Sequence, residues 1–349
     1  MTEHLPEVAH GAWPSPITAA RLVEGAAGVG EVRCDGTDVW WAEQRPAEGG
    51  RYQLVRCSSG GQRHDLFPAW DPDGGGGPAW NARTAVLEYG GGAWAVRDRV
   101  VVFANWADQR LYRVDPGAEP VAITPEPAVP RGLRWSEVSW LDDGWLVCVR
   151  ESHEPDVVAA RGEAANEVVA LPVDGSAVSD PSLVRVLVSG PDFVHTPAVS
   201  GDRVAWLQWD HPRMPWDGSE LVVGFVRRDR DGRPVGIGDP VVVAGGPAES
   251  VVQPGFTRAG DLVFCTDRTG WWNPWRLPAS TFGDVGADSA QNLRQRSDSD
   301  VPVEPVLAGG GWRSRSAVRS GSAASAGGPS STTDGCSCRP PPTAPTAWP

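Results

Sequence analysis

Nine short apolar runs, set off by Gly, Pro and Asp every 8 to 15 residues, dictate what this chain can fold into. They are Asp38–Ala42, Tyr52–Arg56, Val100–Ala104, Leu111–Asp115, Trp145–Val149, Glu167–Leu171, Val204–Gln208, Leu221–Phe225 and Leu262–Thr266. Runs this short, rich in Val, Trp, Leu and Phe and bounded by turn residues, read as β-strands. Helical periodicity over eleven or more residues is almost absent. The segment from Ala159 to Ala165 has room for at most two turns. The chain is therefore expected to be all-β.

The runs come in pairs that recur. Anchors for the first strand of each pair fall at Trp40, Phe103, Val147, Trp206 and Phe264, about 40 to 65 residues apart. That spacing fits the blades of a β-propeller, each a four-stranded sheet of roughly 40 to 50 residues with loop insertions. A β-sandwich ends sooner and does not keep repeating. The residues give five clear blades and the start of a sixth. Most of the 18 Trp suit the packing between blades, where a large ring buries much area. An exposed carbohydrate platform is the sharper alternative for them.

The expected divisions are an N-terminal extension (1–16), an incomplete propeller (17–308) and a low-complexity tail (309–349). After Leu307 only Val318 is a branched aliphatic, so the tail reads as disordered. Residues 313–349 carry a net charge of +3, against −16 for the rest. Such a break suits either a natural Pro/Ser-rich linker or a frameshifted translation of GC-rich DNA, and the second reading is favoured. All 31 basic residues are arginine, which fits the same GC-rich source.

The net charge of −13 argues against a nucleic-acid partner. No run of about 18 apolar residues exists, so no membrane partner is expected, and the first residues lack a secretion signal. Six Cys at 34, 57, 148, 265, 336 and 338 form neither a disulfide framework nor a zinc spacing. Reduced thiols in a cytoplasmic chain are the simplest reading, with no metal and no cofactor.

Catalytic motifs are missing. No Gly-x-Ser-x-Gly pentapeptide occurs, and the glycine runs at 74–77 and 90–92 lack the Lys-Ser/Thr of a phosphate loop. His153 has Glu151 and Glu154 beside it, and His211 has Asp210, but neither pair has a nucleophile; loop hydrogen bonding accounts for both. A propeller glycosidase would bring carboxylates together at the centre from different blades.

Longer motifs carry a resemblance. They include Trp41–Arg51, Asn81–Thr84, Glu88–Trp94, Phe103–Tyr112, Trp209–Leu221, Gly246–Ser250 and Thr266–Asn273. Over residues 12 to 300 the chain resembles the N-terminal propeller of bacterial prolyl oligopeptidase (S9) family serine peptidases, of the dipeptidyl aminopeptidase/acylaminoacyl-peptidase-like group. The resemblance implies a propeller, commonly seven-bladed, that caps an α/β-hydrolase domain bearing Ser, Asp and His and admits only short peptides. Against that pattern about six of seven blades are expected here. The hydrolase domain has no counterpart, so no catalytic residue carries over and the chain is expected to be inactive alone. The alternative is a free-standing propeller that binds protein or peptide partners.

Three loop clusters are candidates for facing substrate or the missing domain. They are Arg268 with Trp271 and Trp272; Asp210 with His211, Trp216 and Asp217; and Asn105 with Asp108 and Arg110. The competing reading is that these residues hold their own turns by local hydrogen bonds.

Overall fold

The structure, a computed structural model, describes residues 9, 11, 15–71, 73, 80–282 and 303–306. The 309–349 tail and most of the 1–16 extension lie outside the described residues.

Among the described residues, twenty strands pair antiparallel into five sheets of four. The first sheet holds β1 (Gly28–Asp35), β2 (Asp38–Arg45), β3 (Arg51–Cys57) and β4 (Arg63–Asp65). The second holds β5 (Trp94–Arg97), β6 (Val100–Ala104), β7 (Leu111–Val114) and β8 (Val121–Ala122). The third holds β9 (Leu133–Trp140), β10 (Trp145–Ser152), β11 (Ala165–Pro172) and β12 (Arg185–Val188). The fourth holds β13 (Phe193–Ser200), β14 (Arg203–Trp209), β15 (Glu220–Arg228) and β16 (Pro234–Gly245). The fifth holds β17 (Val251–Phe256), β18 (Leu262–Thr266), β19 (Asn273–Leu277) and β20 (Glu304–Pro305). Each sheet keeps chain order, and the first strands of successive sheets lie beside one another. This is a β-propeller, with first strands innermost.

Alternation along the strands builds the core. Val102 and Ala104 of β6 pack toward the third blade, whereas Val101 and Phe103 pack toward the first. Similarly, Leu146 and Cys148 face the second blade, and Val147 and Val149 face the fourth. Each of the four apolar clusters thus fills the space between two neighbouring blades, as the period-2 pattern of a two-sided sheet requires.

Two expectations change. The described residues form five blades, not about six. The last strand described, β20, completes the fifth blade by pairing with Trp275 and Arg276 of β19. The five anchors sit in β2, β6, β10, β14 and β18, each the second strand of its blade and each the first of a pair with the third strand that follows. Helix appears one turn earlier than expected, as α1 (Pro155–Arg161), closed by Gly162 at φ 82°.

The inner strands, which precede each pair, share one device. Four of them carry a bulge in their pairing with the second strand. At each bulge sits a residue with left-handed backbone: Glu31 (φ 50°), Glu137 (φ 54°), Thr196 (φ 47°) and Gln253 (φ 57°). Gly92 (φ 59°), just before β5, holds the matching place in the second blade. The device breaks apolar alternation and bends the strand.

Candidate functional site

In an up-and-down blade, the loop from second to third strand and the connection to the next blade emerge on one face of the disc. All eight predicted residues lie on such loops. Asn105 and Arg110 join β6 to β7, Asp210, His211 and Trp216 join β14 to β15, and Arg268, Trp271 and Trp272 join β18 to β19. The topology places them on a common face, here the upper face, but not in one cluster.

Several are engaged in fixing loops. A carboxylate or amide directly after the second strand accepts a backbone N–H from the connection that leads into the same blade. Asn81 N donates to Asn105 Oδ1 (3.3 Å), Ala128 N to Glu154 Oε1 (3.0 Å), Asp192 N to Asp210 Oδ1 (2.8 Å) and Ser250 N to Asp267 Oδ1 (2.8 Å). Arg110 donates to the Thr124 carbonyl (2.6 Å). Arg268 pairs with Glu249 at 3.0 Å and lies over Trp275. His211 reaches Glu163 on the neighbouring blade's loop at 3.3 Å. Trp216 is left 54% exposed, whereas Trp271 and Trp272 are half-buried.

A denser polar cluster on this face gathers residues from the first connection and the third blade. Glu151 ends β10 and is buried; its Oε1 lies 2.6 Å from His153 Nε2 and accepts from Arg134 Nη1 at 3.1 Å. The same Nη1 donates to Glu88 Oε1 at 2.5 Å and to the Ala85 carbonyl. Arg134 holds the exposed Glu88 carboxyl below the usual carboxylate range. Glu151 Oε2 accepts from Leu87 N, and Leu87 and Glu88 both adopt left-handed backbone (φ 54° and 62°). Ligand atoms of Glu88, Glu151 and His153 lie within 4.8 Å of one another, a spacing that could hold a cation. Arg134 Nη1 already occupies the place between the carboxylates, so the cluster is complete as an ion-pair network.

Beside it, Arg83 and Arg131 both stack on Trp106, 4.3 and 4.4 Å from its ring centroid. Neither guanidinium has a carboxylate within ion-pair distance among the described residues.

At the centre, Glu31 and Glu137 meet around Gly92. Glu31 accepts from the N–H groups of Gly92 and Ala93, and burial, countered in part by Arg33, pushes its carboxyl up to about 7. The Glu137 carboxyl fills the space a Cβ at residue 92 would need, its Cδ 2.3 Å from that point. His195 Nε2 lies 3.6 Å from Glu137 Oε1, and burial brings the imidazole down to about 4. Central carboxylates are what a propeller glycosidase requires, yet Glu137 is 5% exposed and the Glu31 side chain 15%. Among the described residues, these two central carboxylates do not form an open pair.

No protein-family profile matches the sequence, and no curated protein does. Solved structures do. A puromycin-hydrolysing peptidase of Mycobacterium tuberculosis is 39% identical, covering 76% of this chain and 38% of its own, with a TM-score of 0.63. A puromycin hydrolase is 38% identical, covering 78% of this chain and 40% of its own, at a TM-score of 0.65. The same figures hold for its S511A mutant complexed with PGG. This propeller belongs to the prolyl oligopeptidase (S9) family.

The chain spans about two-fifths of the length of these S9 relatives. Residue-by-residue reading missed Arg83, Glu88, Trp106, Arg131 and Arg134 as a group. Three of them, Arg83, Glu88 and Trp106, lie inside the S9-like motifs Asn81–Thr84, Glu88–Trp94 and Phe103–Tyr112. That the motifs converge on one corner of the upper face was the available signal.

Proposed function

We propose that this chain is the substrate-gating propeller portion of an S9 serine peptidase acting on short peptides. The aminopeptidase/acylaminoacyl-peptidase-like group suits it best. The observation that carries this is the 38–39% identity to puromycin-hydrolysing peptidases over three quarters of the chain. Puromycin hydrolysis releases an aminoacyl group, which agrees with an aminopeptidase-like substrate class. The upper face, with its polar loops and exposed Trp216, is the side we assign to an α/β-hydrolase partner domain and to arriving peptide. Ser, Asp and His for catalysis would come from that domain, since the 349 residues contain no nucleophile motif. Free thiols at Cys34, Cys148 and Cys265 fit a reducing compartment, and we place the chain in the cytoplasm.

The test is to purify the chain and supply puromycin and chromogenic aminoacyl substrates, alone and with a separately produced S9 hydrolase domain. Turnover is expected only with the hydrolase domain present. Hydrolysis by the purified chain itself, surviving further purification, would overturn the reading.

A further inference from the structure

We propose that Arg83 and Arg131, stacked on Trp106, form a carboxylate-binding site on the upper face that reads the anionic end of a short peptide. The inference rests on the peptide-gating function above and names the substrate chemistry it selects.

Three observations converge. First, the two guanidiniums lie within 4.4 Å of one indole centroid and have no carboxylate within ion-pair distance among the described residues. Arg45, Arg134 and Arg228, by contrast, each engage two or more acids. Second, the site gathers like charge. Burial and the nearby Arg134 and Arg83 pull the Arg131 guanidinium below its ordinary pKa, although Glu88 opposes this. An anion bound there relieves that repulsion. Third, Arg131 itself holds left-handed backbone (φ 59°), as do Leu87 and Glu88 across the cluster. Such strain on a bulky residue persists where the surroundings fix it, and it concentrates at ligand clamps.

The chemistry selects a carboxylate. Both planar guanidinium groups are held against the Trp106 ring, and a guanidinium edge donates its N–H groups in pairs to the two coplanar oxygens of a carboxylate. Glu88 and Glu151 cannot fill the site, because Arg134 already binds both. The carboxylate could come from a peptide C-terminus or from an acidic side chain.

Calorimetric titration of the 349-residue chain at low salt separates these sources. The probes are Ala-Ala-Ala, its C-terminal amide and the C-terminal amide of Ala-Glu-Ala. Ala-Ala-Ala is expected to bind at least tenfold more tightly than its amide, with the advantage shrinking as salt is added. Matching affinity of the Glu-containing amide would support a general carboxylate site; weak binding of it would support a C-terminal one. The advantage should vanish in Arg83→Gln/Arg131→Gln and survive in part in Arg83→Lys/Arg131→Lys, which keeps both charges if the first variant unfolds. Equal affinity for acid and amide would overturn the proposal and leave peptide gating intact. An undiminished preference in the Gln variant would overturn it as well. Failure of all three peptides to bind would remove both readings.

Discussion

The middle strands and the inner strands of this propeller solve opposite problems. The centres of β6, β10 and β14 are apolar on both faces, with Val101, Phe103, Leu146, Val147, Val204 and Trp206 all nearly inaccessible. Their stability is that of a close-packed core. β1, β9 and β13 lie only one strand away but carry Glu137 and His195 into buried positions and Glu31 into a half-buried one, on backbone bent by a left-handed residue. The contrast teaches that burial alone does not make a core in this fold. Position relative to the propeller axis decides whether a strand is filled with hydrocarbon or with a small set of interlocked polar groups.

The contrast can be tested by breaking each side. Trp206→Ala empties the space between the third and fourth blades and should cost about 3–5 kcal/mol in denaturant unfolding. Loss below about 1 kcal/mol would mean that the middle strands are not the main source of stability. Gly92→Ala drives a Cβ into the Glu137 carboxyl on left-handed backbone and should cost about 2–3 kcal/mol. A neutral result would show that the inner ring is loose rather than interlocked.

Proton linkage gives a finer test, read as a slope of at most about 1.4 kcal/mol per pH unit. Folded Glu31 keeps its proton up to about 7, whereas the unfolded side chain ionises near 4.5. Folding therefore takes up a proton in that window, and this contribution falls as pH rises through it, then stays flat. Folded His195 stays neutral down to about 4, against 6.5 unfolded. Its contribution falls as pH drops from 6.5 to 4. Between 4.5 and 6.5 the slopes oppose each other. Relative to the parent chain, Glu31→Gln should therefore tilt the stability–pH curve upward with pH across that window, and His195→Gln should tilt it downward. Parallel curves for all three chains would refute this account of the inner strands. The smallest effect is expected at the upper loops, where Asp210→Ala removes one N–H acceptor and should cost about 1 kcal/mol, read as a shift in urea midpoint.

The same contrast governs how much was legible in the residues. All nine runs singled out at the start are second or third strands, where packing on both faces leaves a plain apolar signature. Every first strand escaped: in four a bulge at Glu31, Glu137, Thr196 or Gln253 shifts the alternation by one and brings in polar side chains, and the fifth, β5, is only four residues long. Every fourth strand escaped too. Arg63–Asp65, Val121–Ala122 and Glu304–Pro305 are outer edges with little to bury. Loop residues such as Asp210 and Asn105 could be located but not assigned a task, since their hydrogen-bond partners lie 18 and 24 positions away in sequence. The Arg83–Trp106–Arg131 stack joins three separate loops and has no local pattern at all.

The N–H latches after the second strands bear on how such chains can be cut and recombined. Because Asn105, Glu154, Asp210 and Asp267 each grip the segment that precedes their own blade, the heritable module is a connection together with the blade it enters. A seam placed immediately after an outer strand carries the latch over whole. A seam at the start of an inner strand parts every graft from its own clasp.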